Sequence, residues 1–178
     1  LAAAAGHGDK RVKTLHAVFA RGASPDADID IEVDPVQSGR TFASSTVTLR
    51  QGDRTCVRAQ VLLSAEEPDC IRHATPAPPV EPPADDAGSP AEWAVQIVGD
   101  VDISDPALVG PAELDVWTRF VGAPDDPTLN QALLAFATDG FLIGTAMRPH
   151  EGIGQAQAHR TLSTGVISHT ITFHEPVA

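Results

Sequence analysis

The sequence predicts an α+β fold: two tandem units, each an antiparallel β-sheet wrapped around a buried central helix. Three features of the 178-residue chain carry this reading. Residues 12–64 alternate polar and apolar with period two, as half-buried strands do. A proline-rich stretch spans 68–90. Residues 126–147 then form a helix signal that is apolar on every side, and such a helix must be enclosed by its own protein.

The strands come first. Val12–Ala20 is one candidate. Ile29, Ile31 and Val33 alternate with Asp28, Asp30, Glu32 and Asp34, which predicts a strand with one wet face. Ala43, Ser45, Val47 and Leu49 fall on one face of the next run, with Phe42, Ser44, Thr46, Thr48 and Arg50 on the other. Gln51-Gly-Asp-Arg54 predicts a hairpin turn, since Gly and Asp accept the backbone angles of a tight reversal. Val57, Ala59, Val61 and Leu63 continue the returning strand. Four strands joined by short turns make an antiparallel sheet, one face of which must be covered. Leu1–Ala5 reads as the end of a preceding helix.

Seven of the 15 prolines lie at positions 68, 76, 78, 79, 82, 83 and 90. Proline removes donors and fixes φ, so this stretch predicts an extended connector. The expected division is therefore a first unit at 1–67, a linker at 68–90 and a second unit at 91–178. The second unit offers strands at Glu92–Val98, Glu113–Val121 and Ser163–Phe173. Its helix starts at Asp126, a good N-cap, with Pro127 at the first helical position, where a missing N–H costs nothing. Leu129, Leu133, Phe136, Ile143 and Met147 recur at helical spacing, while Leu134, Phe141 and Leu142 fill the opposite side.

Composition narrows the function. Twelve Lys+Arg against 24 Asp+Glu give a net charge of −12, which argues against nucleic acid and anionic membrane as partners. No run approaches the ~18–20 apolar residues of a membrane span. Cys56 and Cys70 are too few for a disulfide framework and read as reduced thiols of a cytoplasmic protein. The start lacks both an initiating Met and a signal-peptide pattern, and both ends read as trimmed. The histidines His16, His150, His169 and His174 lack metal-ligand spacing, no Gly-x-Ser-x-Gly elbow surrounds a serine, and no glycine run has the spacing of a phosphate loop.

Asp139 stands out. Between Ala132 and Met147 the only polar side chains are Thr138, Asp139 and Thr145. A carboxylate withdrawn from water needs partners or a purpose. The residues leave two compatible readings open: Asp139-Gly140 breaks the helix, with Asp139 capping a second segment, or Asp139 is a general base or nucleophile beside an apolar cavity.

Several segments carry a resemblance. Leu133-Leu-Ala-Phe-Ala-Thr-Asp139, Thr145-Ala-Met-Arg-Pro-His150, and His169-Thr-Ile-Thr-Phe-His174 with Pro176 resemble the acyl-CoA thioesterase II (TesB-like) family. Leu15-His-Ala-Val-Phe-Ala-Arg-Gly22 resembles that family's His-x-x-Phe-x-Arg-x-Gly strand, and Ser38-Gly-Arg-Thr-Phe42 its Asp-Gly-Arg-Ser-Phe turn. The resemblance runs in order from near Leu1 to Pro176. It implies a tandem (double) hotdog fold and hydrolysis of fatty acyl-CoA to free acid and CoA. No cofactor is implied beyond the coenzyme A of the substrate, and a homo-oligomer is expected.

The family's catalytic groups are an Asp on the second unit's helix, a Thr on the following strand, and a Gln near the C-terminus. Asp139 falls on the Asp. Val166 falls where the Thr belongs, and the Gln position lies past Ala178. Ser168 stands in place of an acidic residue and Glu175 in place of an Arg. Thr164, two residues before Val166, and Ser168, two after, are candidate substitutes for the missing hydroxyl, because a register slip of two preserves facing. The candidate site is therefore Asp139 and Thr164 as catalytic groups, with Phe136, Val166, Ser168 and Arg148 as substrate contacts. Two alternatives are a degenerate double hotdog that binds acyl-CoA or lipid without hydrolysis, and a hotdog hydratase. The hydratase would need a His–carboxylate motif that the sequence lacks.

Overall fold

The structure is a computed structural model describing residues 10–68, 70, 71, 73, 74, 76, 79–81, 93–158, 160–175 and 177. The expected helix end at Leu1–Ala5 and most of the proline-rich stretch lie outside the described residues. Two units interleave along the chain. One comprises Leu1–Pro68, Pro124–Phe136 and Val166–Ala178, the other Asp69–Ala123 and Ala137–Gly165.

The first unit is built on five strands: β1 (Arg11–Phe19), β2 (Asp30–Ser38), β3 (Phe42–Gln51), β4 (Arg54–Ser64) and β7 (Ser168–Thr172). They form one sheet in the order β2-β3-β4-β1-β7, with every pairing antiparallel. The predicted β3–β4 hairpin turns at Gly52, whose φ of 55° lies in the region a Cβ disfavours. Just past the turn the register shifts, because Arg50 pairs with Thr55 while Leu49 pairs with Val57. The extra residue is Cys56, a buried thiol whose carbonyl accepts from the Ala20 and Arg21 amides at 2.8 and 3.2 Å. This bulge therefore anchors the chain as it leaves β1.

The core face matches the alternation read from the sequence. Ala43 and Val47 of β3, Ala59, Val61 and Leu63 of β4, and Val12 and Ala17 of β1 are buried together with Phe173. β2 departs from expectation. On this edge strand Val33 is partly buried and packs against the core, but Ile31 and Val36 are 58% and 66% exposed. Pro35, which has no N–H to donate, is tolerated there, and the register shifts next to it between Pro35 and Gln37.

The helix signal becomes two helices, α1 (Pro127–Asp139) and α2 (Leu142–Met147), broken at Gly140-Phe141. Asp126 caps α1 as expected: its Oδ1 accepts from the Thr128 and Leu129 amides at 2.8 and 3.2 Å. Leu134 of α1 packs against the first unit's core. Gln131, 5% exposed, donates from Nε2 to the Val12 carbonyl at 2.9 Å. That carbonyl borders a register shift in β1 between Val12 and Thr14, so the helix supplies a partner where the ladder is irregular. The helix is not enclosed on all sides, however. Phe136 is 62% exposed, and Leu129 and Leu142 are exposed too. A sheet covers only one stripe of a helix, and apolar composition on the remaining sides does not bring cover with it.

The predicted strand Ser163–Phe173 is shorter, spanning only β7. It pairs with β1 from Thr14↔Thr172 to Val18↔Ser168. On the outer face His16 Nδ1 and Thr170 Oγ1 lie 2.6 Å apart, bridging the two strands. In the second unit, β5 (Trp93–Ile97) and β6 (Val116–Phe120) form a two-stranded antiparallel sheet, inside the bounds expected for both.

Candidate active site

Asp139 is the last residue of α1, where the helix stops. The capping role open to it in the sequence is not taken up: α2 has Phe141 at its N-cap and no side-chain cap. Oδ1 of Asp139 is buried and has no hydrogen-bond partner among the described residues. Leaving such an acceptor unpaired costs on the order of 1–3 kcal/mol, so the fold tolerates a poorly satisfied carboxylate at the break.

The surroundings of the break hold it rigidly. A Cβ placed on Gly140 would stand 3.7 Å from Cη2 of Trp93, so the indole edge faces the backbone just after Asp139 with about a methyl's room between them. Phe141 meets the same indole edge-on, at 6.5 Å between centroids and 65° between planes. Trp93 stacks on Phe120 at 5.6 Å and 5°, and its Nε1 donates to Thr118 Oγ1 at 2.5 Å. One turn into α2, the site of a Cβ on Gly144 is already taken by Gln155 Oε1 and Ile103.

Thr164 is half-buried in an extended segment preceding β7, outside any ladder. Its Oγ1 is buried and also without a partner among the described residues. The strand-face argument that linked it to Val166 and Ser168 therefore does not apply. Ser168 is in the ladder opposite Val18, exposed and on the His16–Thr170 face of the sheet. Val166 is half-buried just before β7.

Arg148 follows α2 and works partly as a strut. Its Nη1 donates to the Glu113 carbonyl, its backbone carbonyl accepts from the Gly110 amide at 3.0 Å, and its guanidinium occupies the space beside Gly110. Its Nε is buried without a partner.

Asp139, Thr164 and Arg148 thus belong to the second unit, and Phe136, Val166 and Ser168 to the first. Phe136 lies three residues before Asp139 on the same helix, a spacing that makes neighbours. Among the described residues, the buried side-chain atoms without a partner are Trp117 Nε1, Asp139 Oδ1, Arg148 Nε, Gln155 Oε1 and Thr164 Oγ1. All five fall in the second unit. Sequence reasoning missed Gln155, Trp117 and Trp93. The available signal was Gly144, since a glycine inside an apolar helix marks close approach of a neighbour.

Among the described residues no cluster of His, Cys, Asp and Glu is arranged to hold a metal ion, and no helix is long and apolar enough to cross a membrane.

Two family profiles match the chain. One, described as "Acyl-CoA thioesterase N-terminal domain", covers residues 1–64, and the other, "Acyl-CoA thioesterase", covers residues 107–178. Among curated proteins no sequence matches. Solved structures are similar over nearly the whole chain. The tesB protein of Mycobacterium avium subs paratuberculosis is 24% identical, with a TM-score of 0.74 over 96% of this chain and 62% of its own. Acyl-CoA thioesterase II TesB2 of Mycobacterium marinum is 25% identical, with a TM-score of 0.70 over 95% of this chain and 64% of its own. A protein of Alicyclobacillus acidocaldarius, described as having a hot dog fold, is 21% identical, with a TM-score of 0.72 over 99% of this chain and 64% of its own. The chain spans less than two thirds of the length of each.

Proposed function

Since the chain belongs to the TesB-like family of hotdog acyl-CoA thioesterases, we propose that it hydrolyses fatty acyl-CoA to free acid and CoA, with Asp139 as general base. The observation that carries this is the buried, unpartnered Oδ1 at the end of α1. An oxygen that caps nothing and has no partner among the described residues keeps its lone pairs uncommitted, as a proton acceptor must. Asp139 draws a proton from that water as its oxygen attacks the thioester carbonyl. The C–O bond forms, the C–S bond breaks, and CoA leaves as a thiolate that takes up the proton.

The oxyanion that develops needs a donor. We assign that role to Thr164, in place of the Thr that Val166 displaces. A buried hydroxyl without a partner is better suited to it than Ser168, which is exposed. Phe136, one turn before Asp139, and Val166, two residues after Thr164, are proposed acyl contacts by nearness along the chain. Arg148, through Nε, and Ser168 are proposed contacts to the polar part of the substrate.

The proposal extends to the architecture. The divisions 1–67, 68–90 and 91–178 are taken as two hotdog repeats and a linker, with β7 of the second repeat joining the sheet of the first. A cytoplasmic homo-oligomer that needs no cofactor completes it.

Val166 favours a second reading, a hotdog protein that binds acyl-CoA without hydrolysing it, because valine offers the oxyanion no hydrogen bond. One assay separates the two: full-length protein with butyryl-, hexanoyl-, decanoyl- and palmitoyl-CoA, following the acid released and, in parallel, binding. The acid must be followed because Cys70 is exposed and would consume a thiol reagent. Acid release supports the enzyme. Binding without acid release at any chain length replaces it with the binding protein.

A further inference from the structure

We infer that Trp93 is the specificity-determining residue of this site, its indole forming the wall against which the acyl chain ends. The inference rests on the acyl-CoA reading of Asp139. Trp93 is held from several directions at once: stacked on Phe120, met edge-on by Phe141, and hydrogen-bonded through Nε1 to Thr118. Its ring edge lies against Gly140, the residue that follows Asp139. A Cβ at residue 140 would sit in ordinary van der Waals contact with that edge, so the space between indole and backbone admits about a methyl group.

A side chain with its rotamer fixed on so many sides cannot swing away to admit a longer chain. It is also only half-buried, so part of its surface is open to a ligand. A rigid, apolar, partly open ring facing the two residues that follow the general base is placed to end an acyl chain. The geometry therefore assigns this protein to acyl groups short enough to stop at the indole.

The test measures kcat/KM for butyryl-, hexanoyl-, decanoyl- and palmitoyl-CoA with the full-length wild type, Trp93→Ala, Trp93→Leu and Trp93→Phe. Binding of the matching non-hydrolysable thioethers is measured alongside. One methylene in an apolar pocket is worth roughly 10–200-fold in selectivity. Wild type is expected to fall off toward palmitoyl-CoA, and Trp93→Ala to raise the decanoyl-to-hexanoyl ratio at least about tenfold on that scale. Trp93→Phe, which keeps a ring, should stay near wild type, and Trp93→Leu should fall between. If Trp93→Ala does not fold, Trp93→Leu against Trp93→Phe decides the matter.

An equal loss across all chain lengths would reduce Trp93 to a packing residue and overturn the inference. So would a wild type that handles palmitoyl-CoA as well as hexanoyl-CoA. Absence of hydrolysis with chain-length-dependent thioether binding that shifts in Trp93→Ala would overturn the hydrolase alone and keep the wall. Absence of binding to every ligand would overturn both.

Discussion

In the proposed mechanism Thr164 supplies the hydroxyl that Val166 lacks. Its Oγ1 is buried with no partner among the described residues, which costs on the order of 1–3 kcal/mol unless something donates to it or accepts from it. Thr164→Val removes that hydroxyl with little change of shape. Loss of one oxyanion donor lowers kcat by about 10²–10³-fold, and that is the expected result in a steady-state assay of acid release. Adding Val166→Thr to the same variant should recover part of the rate by returning a hydroxyl to the family's position. An unchanged rate in Thr164→Val would move the donor elsewhere. The sequence singled out Asp139 because a carboxylate in a run of apolar residues is conspicuous. Trp93 carries no such local signal, because its neighbours Gly140, Phe141, Thr118 and Phe120 all lie more than twenty positions away.

Elements were legible where their cause is local. Asp126-Pro127 announces the start of α1, and the structure shows the cap bonds. Alternation in residues 42–64 announces β3 and β4, and the Gly-Asp turn joins them. What periodicity does not encode is the partner. The joining of β7 to β1 brings His16 to Thr170 across 154 positions, and no local pattern states it. Apolar residues all round α1 suggested full enclosure, yet Gln131 and Leu134 meet the first unit's sheet and core while Leu129 and Phe136 are exposed. Gln131 then offers a test at this scale. Gln131→Ala leaves the buried Val12 carbonyl unpaired and should cost about 1–3 kcal/mol of unfolding free energy. Urea denaturation would measure it, and a change within error would mean that the bond contributes nothing.

At the scale of the whole molecule, the first unit draws on three stretches of the chain, Leu1–Pro68, Pro124–Phe136 and Val166–Ala178. The first unit's sheet takes its fifth strand from Ser168–Thr172, and its core takes Phe173 and Leu134 from the far end of the sequence. Residues 1–67 produced alone would expose the face that these groups cover. The fragment is therefore expected to be unfolded or aggregated, with amide protons exchanging at the rate of an open chain. A fragment with dispersed amide resonances and strong protection would show that β1–β4 are self-sufficient. Pairing at this range has no signature in local periodicity, so the sequence does not state it.

If Asp139 is the base, replacing it by asparagine removes the reaction and leaves binding in place. Asparagine keeps the size of the side chain and its hydrogen-bonding shape but accepts no proton at neutral pH. In one experiment on the full-length protein, acid release and acyl-CoA binding are measured for wild type and variant. The expected rate is lower by about 10²–10⁴-fold, as for loss of a general base, with binding and thermal stability close to wild type. A variant that hydrolyses at the wild-type rate would contradict it outright.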